Sequence, residues 1–333
     1  RKVGNSDLDV SVVGLGGNVF GPPRLDQDAS NANIHRAQDL GINFIDTAAI
    51  YGQGQSETFI GNALKGRRQD WVIATKFTLR DLGDETPVQR IVRQTNESLQ
   101  FLQTDYIDLM QIHFPEPSVP PELILETLNA FVKEGKIRYI GECNYASWRH
   151  AEAIQVARQN GWPEMVSAQN HYNLVRRHVE LEILPFCNNY NVGFIPYFPL
   201  GAGVLTGKYR PGEPPPPGTR GAAGSPAVTR ARTPHNEVIA ETLKTWAGDR
   251  GHTLAELAVA WLLSRPMLSS VITGTSSVSQ VEANAKSAEW KLTPEEVQEV
   301  DEIAKWDGTG EGTEGEGTAG AGSSPGAGSP RPR

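Results

Sequence analysis

Short β-branched and aromatic runs alternate along the chain with stretches whose apolar residues recur every three or four positions. The runs fall at residues 10–15, 43–47, 71–76, 106–113, 137–143, 166–169, 192–197 and 270–273. Each has the length of a buried strand. Between them Val88, Ile91, Val92, Thr95, Leu99 and Leu102 share one helical face. So do Ile124, Leu128, Phe131 and Val132, and likewise Leu254, Leu257, Ala258, Trp261 and Leu262. Start and stop signals agree with this spacing. Thr253 with Glu256, and Thr293–Pro294 with Glu296, have the form of capping boxes, in which side chain and backbone satisfy each other at a helix start. Gly41 and Gly135 stand just before strand runs, where a helix ends in a left-handed residue.

Strict alternation of strand and helix predicts an α/β fold with a parallel sheet covered by helices. Eight units favour closure into a (β/α)8 barrel over an open sheet. The opening residues 2–8 predict a hairpin that plugs the barrel floor, and a helix after Thr293 completes the chain. Residues 1–306 are thus expected to form one barrel domain. Two stretches break the rhythm. Residues 201–235 hold seven prolines and seven glycines without periodicity, so they form either a functional loop or a disordered insert. Residues 307–333 are rich in Gly, Ser, Pro and Glu and carry no large apolar residue. Such a segment buries too little surface to offset its ordering entropy and is expected to be disordered.

Composition narrows the function. A net charge of −8 over 333 residues argues against nucleic-acid or anionic-membrane partners, which require a basic surface. No apolar run approaches the ~18 residues that span a bilayer. The two cysteines, Cys143 and Cys187, show no metal-ligand spacing, so no metal is expected and a reducing, cytoplasmic setting fits best. Oligomeric state is not readable.

Chemistry in a barrel gathers at the C-terminal strand ends. Asp46 ends the second run, Tyr51 follows it, Lys76 ends the third and His113 the fourth. Taken singly, each reads as a cap, a solvated charge or a surface aromatic. Taken together they describe acid catalysis. A carbonyl that accepts hydride becomes an alkoxide and needs a proton. A free tyrosine, of pKa ~10, is a weak donor at neutral pH. A nearby Lys76 ammonium, held by Asp46, is expected to lower that value, and His113 to hydrogen-bond the substrate oxygen. Phe20, Phe77, Phe114 and Trp148 are candidates for the substrate wall, and equally for core packing.

At these residues the sequence resembles the aldo-keto reductase superfamily. The resemblance runs through residues 41–48, Tyr51-Gly52, Ser56-Glu57, residues 74–76, 105–113 and 135–141, Gln169-Asn170, residues 199–203 and 205–209, and 274–284. The overall spacing is similar to the bacterial and plant branch that includes potassium-channel β subunits. The resemblance implies a catalytic set of Asp46, Tyr51, Lys76 and His113, and a nicotinamide cofactor held without a Rossmann domain. Consistently, Val19 stands where the dinucleotide fingerprint beginning at Gly14 needs its last glycine. By the same resemblance Gly17, Asn18 and Asp46 line the cofactor site, Asn144 and Gln169 bind the carboxamide, and Tyr197 stacks on the nicotinamide. Phe198, Leu200 and Gly201 follow the pyrophosphate. Gly274, Thr275, Ser276, Gln280 and Asn284 surround the adenosine end. Lys208 matches a phosphate-binding lysine, and Arg220 is the choice among several loop arginines for a second cation. Cys143 replaces a more usual Ser, while Gly274 and Gln280 replace cations that many NADPH-preferring relatives carry. NADP(H) is nevertheless expected over NAD(H), because the loop is cationic and residues 275–277 contain no acid. The expected activity is reduction of a small aldehyde or ketone. Two other readings stay open. One is a cofactor-binding regulatory subunit with slow chemistry, against which His113 argues, since the resemblance implies Asn there in channel subunits. The other is a barrel enzyme of unrelated chemistry.

Overall fold

Alternation along each strand run is what builds the molecule. A computed structural model describes residues 1–306; the expected disorder of residues 307–333 lies outside the described residues. The eight runs become β1 (Val13–Gly16), β2 (Phe44–Asp46), β3 (Val72–Phe77), β4 (Ile107–Ile112), β5 (Ile137–Cys143), β6 (Met165–His171), β7 (Gly193–Tyr197) and β8 (Val271–Gly274). All pair in parallel, in the order β7-β6-β5-β4-β3-β2-β1-β8. The seam is drawn together where Phe194 of β7 bridges Leu268, just before β8. The result is a nearly closed (β/α)8 barrel.

Side chains on a strand point alternately to its two faces. Phe44, Ala74, Leu109, Val166, Ile195 and Ile272 therefore fill the barrel interior. Their strand neighbours, among them Ile45, Ile73, Met110 and Phe194, pack outward against the helices in a larger core. The interior is closed from below by the N-terminal residues. Lys2 pairs with Asp9 in an antiparallel bridge, and Val3, Leu8 and Val10 enter the same apolar cluster. This approach requires glycine on both sides: a Cβ on Gly4 would lie 2.5 Å from the Val166 carbonyl oxygen, and one on Gly193 2.5 Å from the Gly4 nitrogen.

Both expected capping boxes form, at helices Leu254–Leu263 and Pro294–Ile303. A third, Thr86 with Gln89, starts helix Pro87–Leu102. Gly41 and Gly135 adopt φ of 78° and 74°. The Pro/Gly-rich stretch is more structured than its composition implied. It opens with a short 3-10 turn, Gly201–Thr206, then carries helix Pro226–Ala231, and its last residues already belong to helix Pro234–Gly248. Two of its prolines sit in the first turn of a helix, where a missing N–H costs nothing and the fixed φ helps.

Candidate active site

The inward register of four strands brings one carboxylate and its partners together at the barrel mouth. Asp46 is the last residue of β2. Its Oδ2 accepts a 2.5 Å hydrogen bond from Lys76 Nζ of β3, which also donates to the Thr47 carbonyl at 2.8 Å. Its Oδ1 accepts from Gln111 Nε2 of β4 at 3.1 Å and from Gln169 Nε2 of β6 at 2.8 Å. All four side chains are buried. Burial pulls the Lys76 pKa down more than any single neighbour raises it, but Asp46 first, then Tyr51 and Cys143, together outweigh it, and the ammonium is held above its ordinary value.

Tyr51 follows β2 in a short turn, with its ring centre 5.3 Å from Lys76 Nζ and edge-on to His113 at 5.8 Å. Its phenol departs from expectation. Desolvation raises its pKa more than Lys76 lowers it, so the value lies above that of free tyrosine. His113, just past β4, is driven well below the usual histidine pKa by burial first and then by the charges of Lys76 and Arg80. It is a neutral imidazole whose Nδ1 lacks a partner among the described residues. The mouth thus combines a protonated phenol, a fixed ammonium beside it and a neutral imidazole. That set can deliver a proton and steady the anion left behind.

A second chain of contacts leads away from His113. Asn144, in the left-handed region at φ 66°, donates from Nδ2 to the His113 carbonyl at 3.1 Å and accepts from the Tyr197 hydroxyl at 2.8 Å. It does not cap helix Ser147–Asn160, whose N-cap is Ala146. Gln169 keeps its Oε1 free apart from Cys143 Sγ at 3.5 Å, and burial holds the Cys143 thiol well above its ordinary pKa, hence neutral. The Asn170 Oδ1 is buried without a partner. His171 stacks on Tyr197 at 5.2 Å.

Phe198, Leu200 and Gly201 lead into the 3-10 turn. Beside that turn the cations of the long loop sort themselves. Arg210 pairs with Glu213 and Arg232 with Glu237. Arg220 instead donates to the Ala202 carbonyl at 3.2 Å, and burial together with nearby Arg24 lowers its pKa. Lys208 Nζ lies 3.3 Å from where a Cβ on Gly203 would sit. Neither Lys208 nor Arg220 meets a carboxylate among the described residues. Gly274, Thr275 and Ser276 close β8 and lead into helix Val278–Ser287, which carries Gln280 and a buried Asn284. Gln280 Oε1 accepts from the Ser276 N–H and hydroxyl. Asn18 lies near Gly274, 3.8 Å from its would-be Cβ, whereas Gly17 is pressed against Thr47 and Ser56. Gly17 thus serves the close packing of the turn after β1 against the connection that follows β2.

Two residues expected on the substrate wall are not brought to this cluster. Phe77 lies one residue past Lys76 and faces the opposite side, buried in the sheet–helix core. Phe20 is buried in that same core. Phe114 does reach the site, stacked on His113 at 4.2 Å with planes within 5°. Trp148 stands 63% exposed at the start of its helix. Gln111 escaped the sequence reading. Its signal was a polar residue in an apolar strand, two positions before His113 and therefore on the same inward face.

Residues 12–305 match the model of the aldo/keto reductase family. The chain is 34% identical over 321 residues to a putative voltage-gated potassium channel subunit beta of Schizosaccharomyces pombe, covering 91% of this chain and 92% of that protein. It is 32% identical over 331 residues to versiconal hemiacetal acetate reductase of Aspergillus parasiticus, covering 90% and 95%. Protein tas of Escherichia coli is 30% identical over 337 residues, covering 91% and 96%.

Proposed function

The chain belongs to the aldo/keto reductase family, and on that premise we propose that it reduces an aldehyde or ketone to an alcohol with NADPH. The observation that carries this reading is the buried Asp46–Lys76 pair with Tyr51 and His113 beside it. A bound nicotinamide would supply the hydride. Tyr51 is the proton donor to the oxygen that becomes the alcohol. Lys76, fixed by Asp46, stabilises the phenolate that remains, and neutral His113 orients the carbonyl oxygen. Asn144 and Gln169 would hold the carboxamide, Tyr197 the ring, and Phe198, Leu200 and Gly201 the pyrophosphate. Thr275, Ser276, Gln280 and Asn284 would take the adenosine end. The fit of a dinucleotide rests on two features: a buried Gln169 oxygen held only by the Cys143 thiol beside an unpartnered Asn170 oxygen, and Lys208 and Arg220 without carboxylate partners beside the 3-10 turn. The same cations favour NADPH over NADH.

The reading takes residues 1–306 as one domain working in the cytoplasm on a small carbonyl compound. Its test is NADPH oxidation against a panel of aldehydes and ketones. Tyr51→Phe is expected to lower turnover ~10²–10⁴-fold while NADPH still binds, measured by its fluorescence. Full activity in that variant overturns the mechanism. Relatives named as channel subunits bring the alternative of a regulatory subunit with slow chemistry. NADPH binding without steady turnover on any carbonyl of the panel would favour it.

A further inference from the structure

Arg80 lies three residues beyond β3, on the rim that also carries Tyr51 and His113. Its guanidinium carbon is 4.0 Å from the centre of the Phe114 ring. Phe114 is stacked on His113, which Tyr51 meets edge-on. A continuous line of contacts therefore joins this cation to the two groups that would handle the carbonyl oxygen. A guanidinium over an aromatic ring keeps in-plane N–H donors available for a carboxylate. On Arg80 those donors find no acceptor among the described residues. Its neighbours differ. Arg90 is taken by Glu85 and by the carbonyls of Arg80 and Asp81, and Arg93 by Glu85 and Glu97. Arg149 donates to the carbonyls of Glu116 and Val119. Glu85, five residues along the chain from Arg80, is thus already engaged twice. Arg80 is half-buried, and its charge reaches His113 strongly enough to help keep that imidazole neutral. Elsewhere the rim offers apolar surface, with Ile50 43% and Trp148 63% exposed.

We propose that Arg80 sets substrate specificity, and that the class it selects is aromatic aldehydes and ketones carrying a carboxylate on the end away from the reacting carbonyl. This rests on the reductase reading of the site. The class follows from the contacts. One planar cation matches one carboxylate in a bidentate pair, whereas a phosphate dianion calls for the paired cations found at Lys208 and Arg220. Phe114, stacked on His113 on one face and covered by Arg80 on the other, has its ring edge left for an edge-to-face contact with an aromatic spacer.

The experiment compares para-carboxybenzaldehyde with its methyl ester, which has the same ring and carbonyl without the charge. Wild type, Arg80→Met and Arg80→Lys are assayed by NADPH oxidation. Benzoate is titrated onto wild type and Arg80→Met by calorimetry. Wild type is expected to prefer the acid over the ester by ~10-fold or more in kcat/KM, the size of a hydrogen-bonded charge contact. In Arg80→Met that ratio should fall to about one, mainly through KM for the acid, and Arg80→Lys should lie between. An equal ratio in wild type and Arg80→Met overturns the proposal, as does a fall of both substrates by one common factor. Should wild type turn over neither aldehyde, the reductase reading fails separately and the titration decides: benzoate binding weakened ~10-fold in Arg80→Met upholds the anion site, and absent or equal binding overturns it.

Discussion

Gln111→Leu separates a positioning role from a structural one. Asp46 takes three N–H donors: Lys76 on Oδ2, and Gln111 and Gln169 on Oδ1. A hydrogen bond to a charged group contributes about 1.5–3 kcal/mol, so the substitution weakens the hold on the carboxylate by that order. It also removes the Gln111 Oε1, which is buried without a partner and whose desolvation costs about 1–3 kcal/mol. The two effects oppose each other in folding stability and nearly cancel. They do not cancel in function, because only the first bears on how firmly Asp46 holds Lys76 beside Tyr51. The expected outcome is a kcat lowered ~10-fold or more, with Tm unchanged within about 3 °C, the shift of roughly 1 kcal/mol in a chain of this size. Steady-state NADPH oxidation and differential scanning calorimetry read the two quantities. Gln111→Glu is the sharper partner. A second carboxylate beside Asp46 must share a proton with it, and the pH profile of kcat/KM should gain a new limb. Wild-type kcat in Gln111→Leu, or a large fall in Tm with kcat intact, would refute the reasoning.

Three further outcomes follow from the same geometry. Lys76→Met strands a buried carboxylate, which costs about 3–5 kcal/mol; calorimetry should show a deep loss of Tm that Asp46→Asn largely restores without restoring turnover, and a Tm untouched by Lys76→Met would contradict the pair's role. The reduction rate should decline with rising pH only as Tyr51 loses its proton, above the usual tyrosine range because its pKa is raised. His113, held neutral well below its ordinary pKa, contributes no limb near pH 6–7; a limb there that vanished in His113→Asn would sink this assignment. Gly193→Ala places a Cβ 2.5 Å from the Gly4 nitrogen and 3.0 Å from the Val3 carbonyl carbon, so thermal unfolding should show a loss of about 1–3 kcal/mol, and an unchanged Tm would mean the floor is looser than its contacts imply.

The barrel was readable because its signal is repeated eight times, and the strand-end chemistry because a barrel collects its reactive groups in one place. A strand changes face at every residue, so Lys76 and Phe77 cannot both line the mouth, and assigning both ignored that parity. The same parity, applied backwards from His113, would have marked Gln111. The sign of the Tyr51 shift was not legible because it is a contest between desolvation and the Lys76 charge, and a sequence reports the charge but not the burial. The long loop was obscured by its prolines, which read as breakers when counted and as helix starts when placed at Pro226 and Pro234. Its spare arginines could not be ranked until Glu213 and Glu237 had claimed Arg210 and Arg232.

The site divides by the kind of backbone that carries it. Every donor to the Asp46 carboxylate comes from a strand interior to the sheet, and each such strand is hydrogen-bonded on both sides. A change in any one of them is transmitted to a carboxylate that the two others also need. Arg80, Trp148, Lys208 and Arg220 stand on connections or at helix starts, where a substitution disturbs few backbone hydrogen bonds. Such a division lets Asp46 and its supports stay fixed while the rim changes, and proteins each about one-third identical to this chain along nearly its whole length carry names as different as a hemiacetal acetate reductase and a channel subunit. On the proposed reading the substrate is to be sought in the rim, at Arg80 above all, and the hold on the Lys76 ammonium in the strands beneath it.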